Sequence, residues 1–97
     1  MVRYVVLLNL TEKGIAAVKD SPNRAESFRA TAAKAGVSIE ALFWTVGQFD
    51  GMIVLNAPDE ASAAAVVLEL GKGNHARSCM LRAFDADEFR NILGKMP

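Results

Sequence analysis

Apolar and polar positions divide the chain into alternating stretches of two periods. Residues 3–9 (R-Y-V-V-L-L-N) are β-branched and aliphatic, and read as a strand. Thr11 is placed to cap a first helical segment running to Lys19. Asp20-Ser21-Pro22 then breaks the chain, with Ser21 as N-cap and Pro22 as the first residue of a second segment that ends near Ala35, before Gly36. Residues 37–46 and 49–56 read as two strands around Gly47-Gln48. Pro58-Asp59 opens a helix of small residues, A-S-A-A-A-V-V-L-E-L, that stops around Gly71 to Gly73. Residues 75–84 form a fourth strand. Asp85-Ala86-Asp87-Glu88 is a capping box that starts a last helix with Phe89, Ile92 and Leu93 on one face.

The order is β-α-β-β-α-β plus a terminal helix, which predicts a single α+β domain over residues 1–97 with a ferredoxin-like fold. Its antiparallel four-stranded sheet would have the order 4-1-3-2, with both main helices on one face. The opposite face poses a problem. Val5-Val6-Leu7-Leu8 is apolar on both faces, whereas a sheet with one wet face alternates. Either the last helix or a second copy of the chain must cover it. Burying roughly 600 Å² of apolar surface per partner is worth roughly 15 kcal/mol before association costs. A homodimer with sheets packed face to face is the expectation.

Side chains can be assigned to faces. Gly47-Gln48 suits a two-residue type II′ hairpin, which sets Val46 opposite Phe49 and Thr45 opposite Asp50. Thr45, Phe43, Ala41, Asp50, Met52, Val54 and Asn56 then share the open face. Trp44, Val46, Phe49, Ile53 and Leu55 meet the helices. On the first strand, Tyr4, Val6 and Leu8 fit the helix side. On the fourth, Cys79, Leu81 and Ala83 are assigned there, and Ser78, Met80, Arg82 and Phe84 to the open face. Trp44, Phe28 and Phe89 are read as core. Strand directions bring Asn9, Thr45, Asp50, His75 and Arg77 to one edge of the sheet, and Arg3, Arg82 and Asn56 to the other.

Composition narrows the function. Apolar residues make up 52% of the 97, which supports a core, and 11 basic side chains balance 11 acidic ones. A nucleic-acid binder carries a basic excess, and the RNA-recognition form of this fold displays aromatics where this chain has Val5, Leu7, Met52 and Val54. Nucleic acid is therefore excluded as a partner. No apolar run is long enough to span a bilayer, and no signal peptide is read at the N-terminus. The single cysteine, Cys79, cannot form an internal disulfide, so the expected compartment is the cytoplasm.

Several blocks together, Y-V-V-L-L-N-L-T, V-K-D-S-P, G-Q-F-D, A-P-D-E and L-R-A-F, resemble the GYD-domain family of small bacterial and archaeal proteins along nearly the whole chain. The family's naming motif falls on Gly47, Phe49 and Asp50, with Phe49 in place of the usual tyrosine. The resemblance implies a dimeric α/β-barrel type of fold and no common established activity.

Candidate chemistry is sparse. Asp50 could act as a base, or it could simply accept hydrogen bonds from Thr45 or turn amides, or pair with Arg77. Asn9 and Thr45 are polar anchors for a ligand, or strand-end hydrogen-bonding groups. His75, the only histidine, is a candidate proton carrier or an ordinary strand-start residue. Arg82 could bind a ligand anion, or pair with an acid across a dimer. His75 and Cys79 provide too few ligands for zinc, so no metal is expected. Cys79 is read as a buried, inert thiol. Gly71-Lys72-Gly73-Asn74 lacks the phosphate-loop pattern and is read as a helix stop, so no cofactor is expected. Three functions compete. A homodimer could bind a small molecule in a mostly apolar pocket lined by Val5, Leu7, Phe43, Met52 and Met80, with Asn9, Thr45, Asp50 and Arg82 as its polar contacts. It could be an assembly module without ligand. By analogy of fold alone, it could be a cofactor-independent enzyme.

Overall fold

Residues Val2–Leu10 form β1, whose aliphatic side chains on both faces suit a central strand. β1 pairs antiparallel with β3 (Gly51–Ala57) on one side and β4 (Ala76–Ala83) on the other. β2 (Ser38–Trp44) pairs outside β3, so the order is β2-β3-β1-β4, the expected ferredoxin-like arrangement. The computed structural model describes all residues, 1–97. Within one chain the sheet is open, with edges at β2 and β4, and it is not a closed barrel.

The connections follow their caps. Thr11 accepts the Gly14 N–H (3.1 Å) and starts α1, Glu12–Ala16. This helix is shorter than expected. The Ala17 carbonyl accepts both the Asp20 N–H (3.0 Å) and Arg24 Nη1 (3.0 Å), which tightens Val18–Asp20 into a 3-10 turn. α2 (Ser21–Lys34) follows with Pro22 in its first turn, so Asp20 rather than Ser21 is the N-cap. Gly36 (φ 74°) ends it. Asp59 caps α3 (Glu60–Gly71) through the Ser62 N–H, and Asp85 and Glu88 form the expected capping box of α4 (Ala86–Leu93).

The core lies on one sheet face. Tyr4, Val6, Ile53 and Leu55 are buried there against Phe28 and Ala32 of α2 and Ala63 and Val66 of α3. The pairing of β4 corrects its assignment. Arg82 lies opposite Tyr4, Met80 opposite Val6 and Ser78 opposite Leu8, and directly paired residues share a face. These three are therefore on the helix side, where Met80 packs on the core. Cys79, Leu81 and Ala83 face away, and Cys79 is exposed rather than buried. Alternation favoured the uniformly apolar Cys79, Leu81 and Ala83 for the helix side, and the register with β1 puts them on the opposite face.

The hairpin also differs. Thr45 does face Asp50, donating its N–H to the Asp50 carbonyl (3.0 Å), but Gly47 lacks the positive φ of a type II′ turn. Instead the Thr45 hydroxyl donates to the Phe49 carbonyl and closes a wider loop. Val46 is fully exposed in that loop, and Phe49 lies outside the core. Trp44 and Phe89 are also half-exposed rather than core.

The opposite sheet face carries Val5, Leu7, Ala41, Phe43, Met52, Val54 and Leu81. The last helix does not cover it. Phe89, Ile92 and Leu93 of α4 are themselves exposed. Only 12 of 97 residues are buried, and the accessible surface is 6400 Å², against about 5400 Å² for a folded monomer of this mass. The radius of gyration is 14.5 Å, where about 12.5 Å is usual for this length. The single chain is thus less compact, and exposes more surface, than is usual for a monomer of its size.

Candidate functional site

A cleft of about 420 Å³ opens on the helix side, where β1 and β2 end and β3 and β4 begin. The first turns of α2 form one wall, and the last turn of α3 with Gly73, His75 and Ala76 forms another. Leu8, Leu42, Ile53, Phe28 and Leu70 make its floor apolar. Trp44, Arg24, Asp50 and His75 also line it.

Each polar group is held by the backbone around it. Trp44 Nε1 donates to Ser21 Oγ (2.9 Å), which ties the indole at the end of β2 to the start of α2. Arg24 Nη1 donates to the Ala17 carbonyl and lies 3.9 Å from Asp20 Oδ2, while Asn23 donates to Asp20 Oδ1 (2.9 Å). Asp50 sits where the β1–β3 ladder gives out. Its N–H donates to the Leu8 carbonyl (2.7 Å), and its Oδ2 accepts the Leu10 N–H (2.8 Å). The carboxylate thus takes the place of a backbone carbonyl and satisfies the last amide of β1.

His75 is fixed by a clasp from α1. Its carbonyl accepts the Thr11 N–H (3.0 Å), the Thr11 hydroxyl donates to the Asn74 carbonyl (2.6 Å), and Lys13 Nζ donates to the Gly73 carbonyl (3.0 Å). Asn74 takes a left-handed conformation (φ 59°) to make this turn. The imidazole is held below its ordinary range, first by burial and then by the charges of Arg24 and Lys13, with Asp20 opposing.

Of the expected site residues, the cleft contains Asp50 and His75. Asn9 and Thr45 are exposed and lie outside it. Arg82 is at the far end of the sheet, opposite Tyr4. There it donates to the Arg3 and Ala83 carbonyls, lies 3.6 Å from Glu88, and stacks over the Tyr4 and Phe84 rings, 5.7 and 4.4 Å from their centroids. Its acid is therefore supplied within the chain by α4, and Asn9, Thr45, Asp50 and Arg82 do not form one site. The expected pocket lining is displaced as well. Val5, Leu7, Met52 and Met80 do not line the cleft; of that set only Phe43 borders it, although its pairing with Met52 directs its side chain to the opposite face. Arg77 lies opposite Asn9, outside the cleft.

Arg24, Ser21 and Trp44 were not foreseen. Ser21, Arg24, Phe28 and Thr31 recur at three- and four-residue spacing, the signature of one helix face, and all four line the cleft. No group of three His, Cys, Asp or Glu side chains is placed to hold a metal ion. No helix is long and apolar enough to cross a membrane. The GYD-domain family model matches residues 4–93, and the chain belongs to that family. No curated protein and no solved structure matches it.

Proposed function

We propose that this GYD-domain protein is a homodimer that binds a small molecule in the cleft between α2 and the sheet. The cleft carries the reading. Its volume of about 420 Å³ lies in the range of ligand sites, its floor is apolar, and a few fixed polar groups converge on it. The dimer is supported by the opposite face. The chain exposes about 1,000 Å² more than a monomer of its mass, and a standard interface removes about 800 Å² per partner. A two-fold pairing through that face leaves the cleft open on the outside of the dimer. The free, exposed Cys79 fits a reducing compartment, so the cytoplasm is the proposed location.

A fragment screen by thermal shift tests this reading. A ligand at a hundred times its Kd adds about 2.7 kcal/mol, which raises Tm by about 10–20 °C in a domain of this size. A broad screen without a shift removes the binding function. If the protein is nonetheless dimeric, the assembly-module reading replaces it.

A further inference from the structure

We infer that the cleft takes an aromatic amine, with its protonated nitrogen at Asp50 and its ring over the apolar floor beside Trp44. This rests on the reading of the cleft as a ligand site and specifies what that site selects. The inference follows from which charges in the cleft are already satisfied.

Three carboxylates line it: Asp20, Asp50 and Glu69. Asp20 is met by Arg24 and Asn23, and Glu69 lies 3.6 Å from Lys72 Nζ. Asp50 alone has no basic nitrogen within 4.0 Å. Its Oδ2 is taken by the Leu10 amide, so its Oδ1 is left to accept a donor from a ligand. The cations near the cleft are turned to the backbone: Arg24 Nη1 donates to the Ala17 carbonyl and lies 3.9 Å from Asp20, and Lys13 donates to the Gly73 carbonyl. Burial and those two cations keep His75 in its neutral form. A ligand anion would meet an unpaired carboxylate, whereas a ligand cation would pair with it. The apolar floor of Leu8, Leu42, Ile53 and Phe28 requires a body attached to that cation. A cavity of about 150 Å³ holds one benzene ring, so a cleft of about 420 Å³ has room for a ring and an alkylamine chain.

Trp44 is the only tryptophan in the chain, so its fluorescence reports directly on the cleft. The experiment titrates the full-length protein with three matched probes: 2-phenylethylamine, 2-phenylethanol and phenylacetate. The expected order of affinity is amine, then alcohol, then acid, with the amine at least about tenfold ahead of the acid, the scale of one charged hydrogen bond. Asp50→Asn keeps an oxygen for the Leu10 amide and removes the charge. It is expected to weaken the amine about tenfold or more and to leave the alcohol within about twofold. An acid that binds as tightly as the amine, or an amine affinity indifferent to Asp50→Asn, overturns the amine assignment while the cleft still binds. No response of Trp44 to any probe overturns the amine assignment, while the ligand-site reading stands or falls on the broad thermal-shift screen.

Discussion

Replacing Val54 with Glu should convert the protein from a dimer to a folded monomer. Val54 sits in the middle of the uncovered face, paired with Val5 on β1 and Ala41 on β2. It points away from the core, so a single chain can carry a carboxylate there in water. In a face-to-face dimer the same carboxylate would be enclosed. The loss of valine burial costs about 1.5 kcal/mol, and a desolvated, unpaired carboxylate costs several more. Because a two-fold interface contains the position twice, the total is about 8 kcal/mol or more. That weakens dimerisation by a factor of roughly 10⁵ or greater. Light scattering coupled to size exclusion at about 50 µM, well above a Kd of 1 µM, provides the assay. The wild type should have twice the 10.4 kDa chain mass and Val54→Glu the chain mass itself, with unchanged circular dichroism. A monomeric wild type at that concentration refutes the dimer. A Val54→Glu variant that remains dimeric refutes the face assigned to it.

Gly14 is the tightest point of the clasp: a Cβ there would lie 1.9 Å from the His75 carbonyl oxygen. Gly14→Ala must therefore push α1 off the β4 start and break the Thr11–His75 hydrogen bond. The cost is about 2–4 kcal/mol and the Tm falls by about 10 °C or more, whereas a fall under about 2 °C contradicts the contact. The His75 imidazole, held below its ordinary value of 6.5 in the fold, contributes stability above that value and loses it as pH falls through the folded one. Scanning calorimetry between about pH 7 and about pH 5 should show a smaller fall in Tm for His75→Gln than for the wild type, and parallel curves contradict the depression. Arg82→Met removes the link to Glu88 of α4, so amide exchange in residues 86–93 should quicken about fivefold while the sheet amides keep their protection. Unchanged exchange means that α4 is held by something else.

The strand order was legible because its signals are local. Thr11, Asp59 and Asp85 cap helices where the alternation changes period, and the β-α-β-β-α-β order leaves few topologies. What was not legible depends on distant contacts. β4 suggests the wrong parity, since its apolar set Cys79-Leu81-Ala83 favours the helix side, which instead holds the amphipathic Arg82 and Met80. Its pairing with β1 placed Arg82 inward, where the Tyr4 ring and Glu88 of α4 receive it. The Glu40 bulge between Ile39 and Ala41 was equally invisible, as one extra residue leaves no compositional mark. The site was half-legible for the same reason. Strand directions brought Asp50 and His75 to one edge, but alternation put Asp50 on the open face. The ladder ends at Gly51, so alternation no longer governs Asp50, and its carboxylate turns along the strand end to the Leu10 amide.

That placement also explains why β1 is apolar on both faces without the two faces sharing a role. Leu8 lies on the cleft floor beside α2, whereas Leu7 belongs to the uncovered face. The same division runs through β3, where Ile53 lines the cleft and Met52 and Val54 face the other way. Strand geometry alone separates the cleft from the uncovered face, since consecutive side chains must point to opposite sides of the sheet. The cleft needs only α2, α3 and the strand ends of one chain. A monomeric Val54→Glu protein should therefore retain the Trp44 response to 2-phenylethylamine. Its loss would mean that the cleft is shaped by the partner, and that the two faces of β1 act as one site rather than two.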